Sequence, residues 1–274
     1  MNERQAYDLQ TLTTSAETAA VGELAYHDDS GEPRFEAVTP LLLDGKPAFS
    51  MTYASSGFAD LLTRSPYVSL VLSDSRIARV GWSPLSVAAR ARVEPDSEGY
   101  FFKEALMEQE LTKHPPARQL INSFMLQKEN WWYLPRLVVR LEPLEEPRPV
   151  ARRTGENHGV LACGAVAAEP PRVETVAADD LSADRVRLRA MDGGAQPERD
   201  APATLFFHDF EVPEMERTAA LSLHGRLRKG ALEVESRDGS AELGKRPNLI
   251  ARWRSLRDLE RGCKRGLKER NPSR

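Results

Sequence analysis

The chain has 274 residues, of which 41% are hydrophobic and 29% charged, and its formal net charge is -3. This composition supports the packed core of one large or two modest domains, since domains usually contain roughly 100–200 residues. The weakly acidic balance provides no overall positive field for a phosphate backbone, which argues against a dedicated nucleic-acid-binding protein.

The two cysteines, Cys163 and Cys263, are too few for a disulfide framework and lack the spacing of a zinc site. No stretch approaches the ~20 apolar residues of a membrane span, and the N-terminus lacks the apolar core of an export signal. We therefore expect a cytoplasmic protein without a metal site or a membrane partner.

The first half of the chain predicts a helix followed by strands. Residues 3–20 suit a helix, and Val21 to Tyr26 alternates apolar and polar positions, as a half-buried strand does. Pro33 to Leu43 predicts the second strand of a hairpin. Asp44-Gly45 is a strong turn dipeptide that leads into a third strand, Pro47 to Thr52.

A short helix and two more strands follow. Gly57 to Ser65 has apolar residues at helical spacing, and Pro66 just beyond it is a stop signal. Tyr67 to Leu72 is strongly apolar. Ser86 to Val93 alternates small residues and arginines, which is typical of a barrel wall with one face inward.

The next elements complete the first domain. Glu98 to Leu126 predicts a helix broken at His114-Pro115-Pro116, because proline lacks the amide donor. Trp131 to Leu141 predicts another strand. Residues 143–155 are rich in proline and arginine and read as a linker. The predicted domains are therefore residues 1–145 and 156–274.

The second half contains a segment that is similar to one in the first half. Leu85 to Arg92 and Leu221 to Arg228 match at Leu, Ser and both arginines without a gap, and each segment follows an apolar strand. This match predicts a tandem duplication of one β-unit, with the second copy reduced and followed by a basic C-terminal helix.

Several of these segments together resemble the pyridoxamine 5'-phosphate oxidase-like family of FMN-binding split β-barrel proteins. The resemblance rests on Arg34 to Leu43, Phe49 to Tyr53, the helix from Gly57 to Ser65, and Ser65-Pro66-Tyr67-Val68-Ser69-Leu70. It covers about residues 15 to 145. It implies a mainly β fold, with a split β-barrel in the first half and a degenerate barrel-like unit in the C-terminal half.

The resemblance also implies a cofactor, FMN, seated at the interface of a homodimer. Its phosphate would be held by basic and hydroxyl side chains of the strand pair and turn. Apart from the resemblance, the aromatic cluster Trp131-Trp132-Tyr133 could stack on a planar ring, although such a cluster more often seals a core or a dimer interface. Tyr133-Leu134-Pro135-Arg136 would bring a cation near this aromatic surface at a bend. The candidate cofactor-binding residues are Arg34, Thr39, Thr52, Tyr53, Ser55, Ser56, Trp131 and Arg136.

The turn Ser55-Ser56-Gly57 departs from the family pattern, in which a basic residue follows the turn serine. Here Phe58 and the acid Asp60 come next. Backbone amides at the start of the helix could still hold a phosphate, since orphan amides and the helix dipole favour anions. An ordinary helix N-cap without a ligand explains the same residues equally well.

Three functions stay open at this point. The first is an FMN-dependent oxidoreductase acting on a small molecule, in which no residue is identified as catalytic. The second is a haem-binding protein that uses His224, or His208, as the axial ligand. The third is a cofactor-free binding protein built on a duplicated barrel.

Overall fold

The computed structural model describes residues 8–76, 78–118, 130–164, 168–193, 200–246 and 248–270. Within these ranges the chain forms fourteen β-strands and four α-helices, which confirms the predicted mainly β class. None of the described helices combines the length and apolar character needed to cross a membrane.

The strands of the first half form one twisted sheet with its core between the sheet and the helices. The eight strands are β1 Gly22–His27, β2 Pro33–Val38, β3 Leu41–Leu43, β4 Lys46–Thr52, β5 Tyr67–Leu72, β6 Leu85–Asp96, β7 Arg136–Pro143 and β8 Arg148–Pro149. Their spatial order is β2-β1-β5-β6-β7-β4-β3, and β8 pairs with β6.

Four helices accompany the sheets. They are α1 Leu9–Thr18, α2 Ser56–Arg64, α3 Met107–Lys113 and α4 Leu249–Arg270. A π-helical segment, Phe102–Leu106, leads into α3, which ends immediately before the predicted break at residues 114–116. The part of the predicted helix from 119 to 126 lies outside the described residues.

Two predicted strands were wrong in their bounds because of proline. The segment Pro33 to Leu43 is two strands, since Pro40 cannot donate to a ladder and separates β2 from β3. The strand predicted from Trp131 begins only at Arg136. Residues 131–133 instead form a 3-10 turn that ends before Pro135.

The C-terminal unit is a closed barrel. Its strands are β9 His158–Cys163, β10 Arg172–Ala178, β11 Arg185–Ala190, β12 Ala201–Phe210, β13 Thr218–Arg228 and β14 Ala231–Ser240, joined in the order β10-β11-β14-β13-β12-β9. The sequence predicted a reduced copy, so this closure differs from the expectation.

The pairing of β13 with β14 contains a bulge, and the extra residue lies in β14. His224 is opposite Ser236 and Gly225 is opposite Val234, so Glu235 has no partner in β13. A Cβ at Gly225 would lie under 3.0 Å from the carbonyl oxygen of Glu233, so only glycine fits this approach. The bulge bends the sheet, which lets β14 reach β11 with Arg185 opposite Glu233.

The two units share one topology. In chain order β1, β2, β4, β5, β6 and β7 correspond to β9 through β14, and the spatial order β2-β1-β5-β6-β7-β4 becomes β10-β9-β12-β13-β14-β11. The matching segments Leu85 to Arg92 and Leu221 to Arg228 lie on the equivalent strands β6 and β13. The shared topology supports the predicted duplication.

One pairing distinguishes the units. In the C-terminal barrel β10 pairs with β11, with Val176 opposite Ala190. Among the described residues, the equivalent strands β2 and β4 do not pair. The N-terminal barrel is therefore split between β2 and β4.

The units pack against each other as a pseudo-symmetric pair. Ser69 on β5 donates a hydrogen bond of 2.6 Å to the carbonyl of Pro171, just before β10. Thr204 on the equivalent strand β12 donates one of 2.6 Å to the carbonyl of Pro33, at the start of β2. Between these contacts the rings of Phe35 and Phe206 stack with centroids 5.2 Å apart. An apolar cluster of residues from both units thus lies at the interface.

Candidate functional site

The split in the N-terminal barrel contains a cavity of about 210 Å³. Residues 36–39 form one wall and residues 49–52 the other, while α2, α3 and the turn before β7 provide the remaining sides. The lining residues are Glu36, Ala37, Val38, Thr39, Phe49, Ser50, Met51, Thr52, Ser55, Phe58, Glu110, His114, Tyr133 and Arg136.

Four of the eight predicted cofactor-binding residues line this cavity. Thr39 follows β2, Thr52 ends β4, Ser55 precedes α2, and Arg136 begins β7. They come together because the described strands β2 and β4 do not pair, so that the ends of these elements face the same cavity. These four residues therefore lie around one cavity, and their cofactor-binding role stays a prediction.

Arg136 is the buried cation of the cavity. Its guanidinium carbon lies 3.8 Å from the ring centre of Phe102 and 4.1 Å from that of Tyr133, so two aromatic faces stabilise the charge. One terminal nitrogen lies 3.4 Å from Glu110 Oε1, and the other donates to the carbonyl of Pro135 at 3.3 Å. Arg136 therefore meets the aromatic surface that the sequence predicted at this bend.

Glu110 is the anion beside it. Ser50 Oγ donates to Glu110 Oε2 at 2.7 Å, and the Tyr133 hydroxyl donates to Oε1 at 3.4 Å. Burial raises the pKa of Tyr133 well above its ordinary value, so this phenol stays protonated and remains a donor. Arg136 and Glu110 together place a hydrogen-bond donor and an acceptor side by side in the cavity.

Two further groups in the cavity have perturbed proton affinities. Burial lowers the pKa of His114, and the charge of Glu110 opposes that shift only in part, so the imidazole is neutral near pH 7. Desolvation raises the pKa of Glu36, although this residue is exposed at the cavity wall. The neutral imidazole of His114 is able to accept a proton.

The sequence did not identify Glu36, Glu110 or His114 as site residues. A signal for Glu110 was present, because Phe102, Leu106 and Glu110 are spaced at four-residue intervals and share one helix face. A carboxylate that continues an apolar stripe is expected to face a polar partner inside the protein. The partners themselves come from β4 and β7, far away in sequence.

Arg34 does not line the cavity, contrary to its predicted role as the phosphate clamp. Its Nε lies 2.8 Å from Asp28 and one terminal nitrogen lies 2.9 Å from Glu32. These carboxylates belong to the turn between β1 and β2, so the arginine closes its own hairpin. Its charge is already neutralised where the structure places it.

Tyr53 and Ser56 also lie outside the cavity, in a turn covered by α4. Ser56 Oγ donates to the carbonyl of Tyr53 at 2.6 Å, so this hydroxyl does not cap α2. Gly266 of α4 packs against both residues. Arg270, near the end of α4, forms an ion pair with Asp60. The structure therefore favours a packed structural turn over an anion cradle.

Trp131 is directed away from the cavity, with 51% of its surface exposed. The Nζ atom of Lys264 in α4 lies 6.0 Å from the centre of its ring. The neighbouring Trp132 is buried in the core formed with α3 and α4. Of the predicted aromatic cluster, only Tyr133 reaches the cavity.

The two candidate haem ligands lie near the interface of the units. His224 Nδ1 is 2.8 Å from Thr204 Oγ1, and Nε2 is 3.0 Å from Asp238. Both ring nitrogens are therefore engaged in this arrangement. His208 stacks between Phe206 and Phe210, and burial, helped by the charge of Arg153, lowers its pKa to about 4.

The cavity does not match the phosphate of FMN. Among the described lining residues, the one arginine already faces Glu110 and Glu36 is a second carboxylate, so this part of the lining has no net positive charge for a dianion. Its volume of about 210 Å³ is also below the ~300–1,000 Å³ of typical ligand pockets. The residues fit the polar edge of a ring, with the rest of a larger ligand extending through the open side.

No family model and no curated protein matches the chain. Solved structures with similar parts include a conserved hypothetical protein from Mycobacterium tuberculosis, with 19% identity, a TM-score of 0.37, and coverage of 54% of this chain and 88% of that one. An F420 reductase has 18% identity, a TM-score of 0.33, and coverage of 48% and 92%.

The haem storage protein HutZ from Vibrio cholerae has 16% identity, a TM-score of 0.31, and coverage of 50% of this chain and 91% of that one. An F420 reductase and a haem storage protein thus both occur among the similar structures. Similarity at this level assigns neither cofactor to this chain.

Proposed function

We propose that the N-terminal barrel binds a small organic molecule in the split between β2 and β4. The observation that carries this proposal is the contrast between two units of one topology, of which only the C-terminal one is closed by a β10–β11 pair. At the corresponding place in the N-terminal unit, the chain positions a buried Arg136–Glu110 pair instead.

The ligand class follows from the lining. Arg136 donates and Glu110 accepts, which complements a heteroaromatic ring that carries a carbonyl next to an N–H on one edge. Phe49, Met51 and Phe58 provide apolar contacts for the faces of such a ring. The pyrimidine-like edge of a flavin has this pattern of acceptor and donor.

We therefore propose a more specific form of the oxidoreductase function that the sequence predicted. A flavin would be held through its ring, with Thr39, Thr52 and Ser55 as further hydrogen-bond partners. When bound, the flavin supplies the redox chemistry. Arg136 and Glu110 orient the ring, and neutral His114 is available to accept a proton from a substrate.

Titration of the purified protein with lumichrome, riboflavin and FMN, followed by absorption and fluorescence, tests this proposal. Lumichrome lacks the ribityl chain and riboflavin lacks the phosphate. We expect all three to bind with similar affinity. His114→Gln and the double variant Glu110→Gln/Arg136→Met, which removes the charge pair without leaving a lone buried charge, should weaken binding. Arg34→Ala, outside the cavity, is the matched control and should leave the affinity unchanged.

Two outcomes would contradict the proposal in different ways. Binding of FMN alone, lost in Arg34→Ala, would restore the phosphate-centred site that the sequence predicted. Binding of none of the three compounds would reject a flavin and leave the cofactor-free binding protein. A Soret band on addition of haemin, abolished by His224→Ala, would instead support haem.

The predicted homodimer and the cytoplasmic location remain proposals. The pseudo-symmetric pairing of two barrels within one chain already supplies a second barrel at the interface, as the contacts of Ser69 and Thr204 show. Light scattering of the purified chain distinguishes a monomer from a dimer.

A further inference from the structure

A second concave site lies on the C-terminal barrel, outside the proposed ligand cavity. It is a basin of about 700 Å³. Its lining residues are Asp179, Arg185, Arg187, Leu188, Arg189, Lys229, Gly230 and Ala231. Four of these side chains are cations and one is a carboxylate, although the whole chain has a net charge of -3.

The three arginines form a row along one strand. In β11 the residues Arg185, Arg187 and Arg189 are exposed, while Val186 and Leu188 point into the barrel core. Alternate residues of a strand are spaced by about 6.6–6.8 Å, so the row is about 13 Å long. A row of this length suits an elongated anion better than a single compact one.

The neighbouring strands explain why the row is recessed. Arg189 lies opposite Ala177 of β10, and Arg187 lies opposite Ala231 of β14. These small side chains leave open space beside Arg187 and Arg189. Arg185 instead lies opposite Glu233, whose carboxylate pairs with Arg228. The hairpin between β13 and β14 then places Lys229 at the rim, where φ values of 47° and 71° at residues 229 and 230 form the tight turn.

The cations of the basin differ from the other arginines of this barrel. Arg226 pairs with Asp200, Arg228 with Asp200 and Glu233, and Arg237 with Asp184. Within the described ranges, the three arginines of β11 and Lys229 form no ion pair. Asp179 receives hydrogen bonds from the backbone N–H groups of residues 180 and 187, at 2.8 and 2.9 Å.

We propose that this basin binds an inorganic or organic polyphosphate through Arg185, Arg187, Arg189 and Lys229. Guanidinium groups hold phosphoryl oxygens bidentately, and successive phosphoryl groups of a chain can each meet one arginine. Among the described lining residues there is no aromatic side chain on which a base could stack. Recognition therefore depends on the linked phosphoryl groups and not on a nucleobase.

Calorimetric titration with inorganic tripolyphosphate at low and at physiological salt tests this site. We expect binding that weakens with salt, since the contact is between charges. We expect orthophosphate to bind at least tenfold more weakly. The double variant Arg187→Ala/Arg189→Ala should lose about tenfold in affinity for each removed arginine, because hydrogen bonds to charged groups are the strong ones.

The matched control is Arg226→Ala/Arg228→Ala, which removes two arginines of the same barrel that already have acidic partners. It should keep its affinity for tripolyphosphate within about twofold, since it removes the same formal charge from outside the basin. All four positions are exposed or half-exposed, so circular dichroism should show folded variants.

Three results would overturn the proposal. These are no binding of tripolyphosphate at low salt, equal losses in both double variants, and much tighter binding of a single-stranded oligonucleotide at the same site. The last result would indicate an extended nucleic acid as the partner. None of these outcomes depends on the flavin titration, because the two sites share no residue.

Discussion

The packing of α4 against the turn before α2 leads to a sharp prediction for Gly266. A Cβ at this position would lie under 3.0 Å from the carbonyl oxygen of Tyr53 and 2.6 Å from Ser56 Oγ. The hydroxyl of Ser56 could rotate away, but the carbonyl is backbone and has no such freedom. We therefore expect Gly266→Ala to push α4 away from the turn.

Two opposing free energies set the size of the effect. Alanine in place of glycine inside a helix stabilises that helix by about 1 kcal/mol. Overpacking of a close contact costs about 1–3 kcal/mol, and a clash with backbone belongs at the upper end. The net expectation for Gly266→Ala is a loss of about 2 kcal/mol in the free energy of unfolding.

Gly57→Ala is the matched control, because a Cβ there would have no neighbour within 4 Å. Gly57 lies in α2, so alanine should stabilise the protein by about 0.4–1 kcal/mol. Urea unfolding of both variants gives the free energies, and limited proteolysis reports whether α4 is released. A Gly266→Ala protein that is as stable as the wild type, with α4 still protected, would refute the close packing.

Three other variants test the buried charges and the barrel. Glu110→Gln should lower the free energy of unfolding in urea by about 3–5 kcal/mol, because it leaves the charge of Arg136 uncompensated. The double variant Glu110→Gln/Arg136→Met should recover most of that loss. Additive losses would contradict the coupling between the two side chains. His208 has a folded-state pKa of about 4 against an ordinary 6.5, so its contribution is present above pH 6.5 and lost as the pH falls toward 4. His208→Phe should therefore remove up to about 3 kcal/mol of acid dependence, and an unchanged pH slope would reject this assignment. Gly225→Ala should destabilise the closed barrel by about 3 kcal/mol or more, measured by thermal unfolding, because its Cβ would meet the Glu233 carbonyl; a neutral effect would contradict the bulge.

Local patterns were enough for most elements of the first half. Alternation and turn residues predicted strands at Pro47 to Thr52 and Tyr67 to Leu72, and the structure has β4 and β5 there. The errors occurred where a proline changed the backbone. Pro40 divides one predicted strand, and Pro135 delays the start of another.

For the candidate site, four of the residues predicted from the sequence line the cavity, whereas Glu36, Glu110 and His114 were not predicted. Thr39 and Thr52 lie in segments that carry the resemblance, and Ser55 lies in the turn between two of them. Glu110 reaches the cavity from α3, about 60 residues away from Ser50, to which it is hydrogen-bonded. Such a contact leaves only a weak trace in a single sequence.

The sequence by itself determined the strands, the turns and the repeat of one β-unit, because alternation, glycine and proline act within a few residues. Which unit closes was decided only by tertiary structure. Closure needs β10 to pair with β11 in a hairpin and β11 to pair with β14 across more than forty residues, and the register of β14 shifts opposite Gly225. In the described part of the N-terminal unit β2 and β4 do not pair, and the cavity lies between them. Hydrophobic pattern specifies which face of each strand is buried, but pairing of distant edges depends on the whole fold.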